Sequence, residues 1–170
     1  MKLLDTKPGR GVLDWTLEAV GAILLVLMVA VPIYYFSQLP ETVPIHYTDG
    51  KPDGYSDRTW LFVLAAIGWL LYIGLSTLAQ HLPEFYNFIG NEQKVAKEQQ
   101  HALVGMIGLS KVLVAGAFCY LIYQTIQIAL GEANGLSHSL LPTLWWITFA
   151  ITGFFVYRAI CLHLRTPHQS

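Results

Sequence analysis

The chain has 170 residues, of which 54% are hydrophobic and 12% charged, and its mean hydropathy is +0.47, whereas a soluble domain carries about 25% charge. A formal net charge of −1 with no concentrated basic face argues against a nucleic-acid partner, because phosphate binding needs clustered Lys and Arg. The apolar residues gather into four long runs, which makes a lipid bilayer the natural solvent and residues 1–170 a single membrane domain.

A helix that crosses about 30 Å of hydrocarbon needs about 20 largely apolar residues. Residues 15–36 form the first predicted span, which is uncharged after Glu18. Lys2, Lys7 and Arg10 precede it, as in a secretory signal. Its apolar core nevertheless exceeds the roughly 7–15 residues of such signals, and it closes on Tyr34-Tyr35-Phe36 rather than on small residues. The span is therefore read as retained.

Residues 39–58, LPETVPIHYTDGKPDGYSDR, follow it and are densely punctuated. Pro40 and Pro44 fix backbone angles and push their predecessors toward extended geometry. Asp49-Gly50 and Asp53-Gly54 both read as turn dipeptides, so one compact, ordered loop is expected. His46 with Asp49, Asp53 and Asp57 offers metal-binding chemistry, but the segment has one His and no Cys, and no metal site is assigned. Two other readings stand beside it. In one, His46 and Asp53 hydrogen-bond to backbone or to Arg58; in the other, the loop is a recognition surface for an external ligand.

The second predicted span, residues 59–79, is uncharged. Residues 91–101, NEQKVAKEQQH, are polar good helix formers and should extend the third helix out of the bilayer, either solvated or as a docking surface for a soluble partner. The third span, residues 103–130, has a single interior charge, Lys111. A charge at helix-centre depth costs about 2.5–3.5 kcal/mol. Pairing with Glu18, which enters the first span at similar depth, would offset that cost. Snorkelling of the Lys stem is a second solution, and a direct transport or sensing role is a third. Gly105, Gly108, Ala115 and Gly116 recur beside Lys111 and would let another helix approach closely. The fourth span, residues 140–162, meets Arg158 near its end. Cys119 and Cys161 lie inside apolar runs and read as packing residues.

The expected fold is thus all-α, an integral membrane four-helix bundle with an ordered outer loop between helices 1 and 2. Orientation follows from seven basic residues (Lys2, Lys7, Arg10, Lys94, Lys97, Arg158, Arg165) on one side against two (Lys51, Arg58) on the other, which places both termini in the cytoplasm. Tyr34, Tyr35, Trp60, Tyr123, Trp145 and Trp146 would form the outer aromatic belt, with Trp15, Tyr86 and Tyr157 on the inner one. Trp69 and Tyr72 fall in mid-helix, where packing must account for them.

Leu39, Pro40, Pro44, His46, Tyr47, Gly50, Pro52, Asp53, Gly54 and the basic Arg58 follow the motif of the domain of unknown function 1648 family, found in bacterial SdpI-type immunity proteins. The chain resembles that family over about residues 20–80. The resemblance implies a multi-pass protein of the bacterial cytoplasmic membrane, with no cofactor. Its outer loop would meet an external peptide toxin, another signal or a membrane-protein partner, its cytoplasmic face would hold a regulator, and a homo-oligomer is compatible with it. No Ser-His-Asp set, HExxH, phosphate-binding loop or dinucleotide fingerprint occurs, so no enzyme is expected. The rival readings are a transporter-related protein or subunit of a larger membrane complex, with Glu18 and Lys111 along a polar path, and a scaffold without ligand.

Overall fold

The computed structural model describes residues 11–89 and 93–135, with side chains over 11–81 and 104–135, together with Trp146 and Tyr157. The elements are α1 (Val12–Tyr35), β1 (Thr42–Thr48), β2 (Lys51–Asp57), α2 (Trp60–Ile89) and α3 (Gln93–Ala129).

α1 starts where the Asp14 carboxylate accepts the Gly11 N–H at 2.9 Å, satisfying one of the amides that a helix start leaves without an internal partner. Its 24 residues reach about 36 Å, enough to cross a bilayer. Pro32 lacks the N–H that would bond the Met28 carbonyl, and the helix ends within one turn of it.

The segment that follows is a two-stranded antiparallel sheet, which corrects the all-α expectation. β-branched and aromatic residues favour extended pairing, and Asp49 and Gly50 close the hairpin with φ of 51° and 77°. Two successive positive φ values are what a two-residue type I′ turn requires. Thr48 pairs with Lys51 across that turn. Asp53-Gly54, expected as a second turn, instead lies inside β2. The register shifts on both sides of His46, which pairs with Gly54. A Cβ at Gly54 would stand 2.9 Å from the His46 Cβ, so close approach of the strands, rather than a turn, demands glycine there.

α2 begins after Asp57, whose carboxylate accepts the Thr59 N–H at 2.8 Å, and continues to Ile89, well past the expected end at residue 79. α3 has 37 residues, about 55 Å of helix, more than a bilayer core holds. Its apolar part is Val104–Ala129, and the polar stretch expected to prolong it is helical from Gln93 onward. It ends in a Schellman motif, in which Gly131 N–H bonds the Ile128 carbonyl at 3.1 Å and Glu132 N–H the Gln127 carbonyl at 2.9 Å, with Gly131 at φ 77°.

α3 packs against both α1 and α2, which touch each other far less, and β1 rests on α3. Leu25, Met28, Leu61, Ala65, Tyr72, Ala115, Ile122 and Ile126 form the core, and Leu39 and Val43 extend it under the hairpin. Of the small-residue stripe, Ala115 is fully buried and Gly108 approaches Leu17. At Gly105 and Gly116 an added Cβ would meet no described neighbour within 4 Å.

Val20, Ile23, Val26, Ile67, Leu70 and Leu71 face outward, a surface suited to lipid and costly in water. Among the described residues three helices are long and apolar enough to cross a membrane: Val12–Tyr35, Trp60–His81 and Val104–Ala129. The fourth expected span lies outside the described residues except for Trp146 and Tyr157, both helical and exposed. Trp145, Tyr86 and Cys161 also fall outside the described side chains.

Candidate functional site

Among the described residues, two groups of polar side chains stand out, one at the hairpin end of the bundle and one within the spans.

At the hairpin, the irregular register leaves Asp53 without a cross-strand partner, and its carboxylate turns toward β1. His46 Nδ1 lies 2.5 Å from Asp53 Oδ1, and the Thr48 hydroxyl donates to Oδ2. With an ionised carboxylate as acceptor, Nδ1 is the protonated ring nitrogen. Thr48 first, then His46, holds the Asp53 carboxyl below its ordinary pKa. The His46 side chain is 70% exposed and that of Asp53 42%, so the pair is presented outward.

Arg58, one of the partners considered for them, does not join them. Its Nη1 donates to the Phe36 and Leu39 carbonyls at 3.2 and 3.3 Å, and its guanidinium stacks 4.4 Å from the Phe36 ring centroid. It therefore clasps the end of α1, where carbonyls lack helical partners. Leu39 and Pro44 are buried beneath the hairpin, Pro40 is exposed, and Pro52 is half-buried.

The hairpin is clamped from its inner side. The Tyr47 and Thr125 hydroxyls meet at 3.3 Å, and burial pushes the Tyr47 phenol above its ordinary pKa. Gly135 presses so closely on the Gly50 carbonyl that a Cβ there would overlap it, while Gln124 Nε2 donates to the Gly135 carbonyl at 3.2 Å. Among the described residues no three His, Cys, Asp or Glu side chains converge on a metal position.

Within the spans, Lys111 Nζ donates to Glu18 Oε1 at 2.5 Å. The Tyr72 hydroxyl donates to Glu18 Oε2 at 3.2 Å, and the ammonium lies 4.9 Å from the Tyr72 ring centroid. The Lys111 side chain is 4% exposed and that of Glu18 42%. The lysine points into the bundle instead of snorkelling, and the carboxylate forms the more accessible edge. Gly21, one turn beyond Glu18, gives the phenol room, since a Cβ there would overlap the Tyr72 hydroxyl.

Tyr72 was not singled out as a site residue from sequence. The available signal was a polar-tipped aromatic in mid-span, because a buried Tyr or Trp normally finds a partner for its tip. Trp69 obeys the same rule, donating Nε1–H to the Leu25 carbonyl at 3.2 Å. Cys119 packs with its thiol 3.0 Å from the Leu24 carbonyl.

Apolar helices of spanning length, outward apolar faces and a buried ion pair define a membrane protein. The chain belongs to the family described as Domain of unknown function (DUF1648), whose sequence profile matches residues 23–69, from the middle of α1 through the hairpin to the middle of α2. It is also similar to a protein of Archaeoglobus fulgidus described as an uncharacterized protein, with 32% identity over 65% of this chain and 67% of that protein. No solved structure matches the chain.

Proposed function

We propose that this is a multi-pass membrane recognition protein of the SdpI-type immunity or signal-sensing class, whose hairpin meets an external peptide. The observation that carries this reading is the hairpin itself. A rigid two-stranded cap presents His46, Asp53 and Thr48 outward and is tied through Tyr47 to Thr125 on a spanning helix. Fixing the loop in advance removes part of the ordering cost of binding, and the contact with α3 gives an occupied hairpin a physical route to the polar extension at the opposite end. The protein acts by binding rather than catalysis in this reading.

Both termini lie in the cytoplasm of a bacterial inner membrane, with four spans and the hairpin outside, supported by the seven-to-two division of basic residues. Reporter fusions after Lys51 and at Ser170 test this, and external activity at Ser170 rejects it. For function, sensitive cells expressing the protein are challenged with secreted antimicrobial peptides and survival is scored. Protection that is lost in His46→Ala at unchanged expression supports the hairpin as the recognition surface. Protection that survives His46→Ala and Asp53→Asn together removes it.

The rival reading, a transport-related protein or subunit, draws on the ion pair. Lys111→Met with intact stability and intact protection counts against a direct role for that pair.

A further inference from the structure

Because α1 and α2 both lean on α3 and meet each other little, an apolar groove of about 440 Å³ stands open between them among the described residues. Val29 of α1 and Phe62, Ala65, Ala66, Trp69 and Ile73 of α2 line it. The α2 residues follow one helical stripe, and from Phe62 to Ile73 that stripe rises about 16 Å. This is about half of a 30 Å hydrocarbon core, the depth of one leaflet. Trp69 is fixed in place by its bond to the Leu25 carbonyl, so one wall of the groove is set by the fold.

Arg58 lies near the hairpin end of the groove. Phe62 lies one turn beyond Arg58, and its ring centroid is 5.9 Å from that of Phe36, the ring on which the Arg58 guanidinium stacks. Arg58 uses only Nη1 to clasp α1. Among the described residues Nε and Nη2 have no hydrogen-bond partner, and these are the donors suited to a phosphate. Two exposed acids are close to Arg58 along the backbone. Asp57 precedes Arg58 in sequence, and the Arg58 N–H bonds the Glu41 carbonyl at 3.0 Å.

We propose that this is a binding site for one phospholipid of the hairpin-side leaflet. One acyl chain occupies the α1–α2 groove, the phosphate engages Arg58, and a primary-ammonium headgroup faces Glu41 and Asp57. A cation above a leaflet-deep apolar slot fits the phosphate and the chain, and the two carboxylates favour ethanolamine over an uncharged glycerol headgroup. Lipid held there would join α1 to α2 where protein contacts are few.

Native mass spectrometry tests the site, with the full chain in detergent supplemented in turn with phosphatidylethanolamine, phosphatidylglycerol and diacylglycerol of matched chains. Phosphatidylethanolamine should remain bound most tightly and diacylglycerol not at all. Ala66→Phe fills the groove from an exposed position, away from the hairpin and the core, and should weaken retention roughly tenfold or more. Arg58→Gln should weaken it comparably, and Arg58→Lys, which keeps the charge, less. Equal retention of all three lipids, or unchanged retention in Ala66→Phe, overturns the site. A preference for phosphatidylglycerol overturns the role given to Glu41 and Asp57, and with it the proposed occupant.

Discussion

Removing the Lys111 ammonium and removing the Glu18 carboxylate are unequal injuries, because the partners differ in exposure. In Glu18→Gln the ammonium stays in a side chain that is 4% exposed, with an amide and the Tyr72 ring as its remaining company. Breaking a buried pair from one side in this way costs about 3–5 kcal/mol, and the amide acceptor that remains brings the expected loss to about 2–3 kcal/mol. In Lys111→Met the carboxylate left behind belongs to a side chain that is 42% exposed and keeps the Tyr72 hydroxyl as a donor, which should hold the loss to about 1–2 kcal/mol. The double variant leaves no charge behind and should be less destabilised than the sum of the singles, with a coupling of about 0.5–3 kcal/mol. The assay is reversible unfolding in mixed micelles for all four proteins, read by tryptophan fluorescence. Strict additivity would show that the 2.5 Å contact contributes no stability. A larger loss in Lys111→Met than in Glu18→Gln would refute the exposure argument even if coupling were found.

Three further outcomes follow from the geometry. Gly54→Val should force β1 and β2 apart at His46, where a Cβ has only 2.9 Å; about 1–3 kcal/mol of strain is expected, seen as faster amide exchange in the hairpin, and native exchange would refute the close approach. Gly21→Ala should displace the Tyr72 hydroxyl from Glu18 at a similar cost, and its effect should shrink in a Tyr72→Phe background; equal effects in both backgrounds would remove Tyr72 from the network. Asp53 has a lowered folded-state pKa, so its contribution to hairpin order is present above the ordinary Asp value near 3.9 and lost as pH falls through the lower folded value. Amide exchange of β1 and β2 should rise on that descent in the native protein and not in Asp53→Asn, and identical profiles would contradict the assignment.

The sequence by itself determined the three described spans, because the length and apolarity needed to cross a bilayer are local properties that no distant residue has to supply. It also determined the Asp49-Gly50 turn, where two positive φ values are a demand on two residues alone. Depth along the helices left Lys111 two main ways to escape hydrocarbon, pairing with Glu18 or snorkelling, and only the packing of α3 on α1 brought the ammonium to the Glu18 carboxylate. Tertiary structure alone decided which neighbour answered each polar group. Asp53-Gly54 has the composition of a turn, yet a register shift three residues beyond the Asp49-Gly50 turn carried it into a strand and delivered the Asp53 carboxylate to His46. Arg58 had acids close by in sequence, but the carbonyls left open at the end of α1 claimed its guanidinium. Tyr72 became part of the ion pair only because α1 offers a glycine where the phenol crosses it. Contacts of this kind depend on where three helix axes come together, and no single stretch of the chain encodes that meeting point.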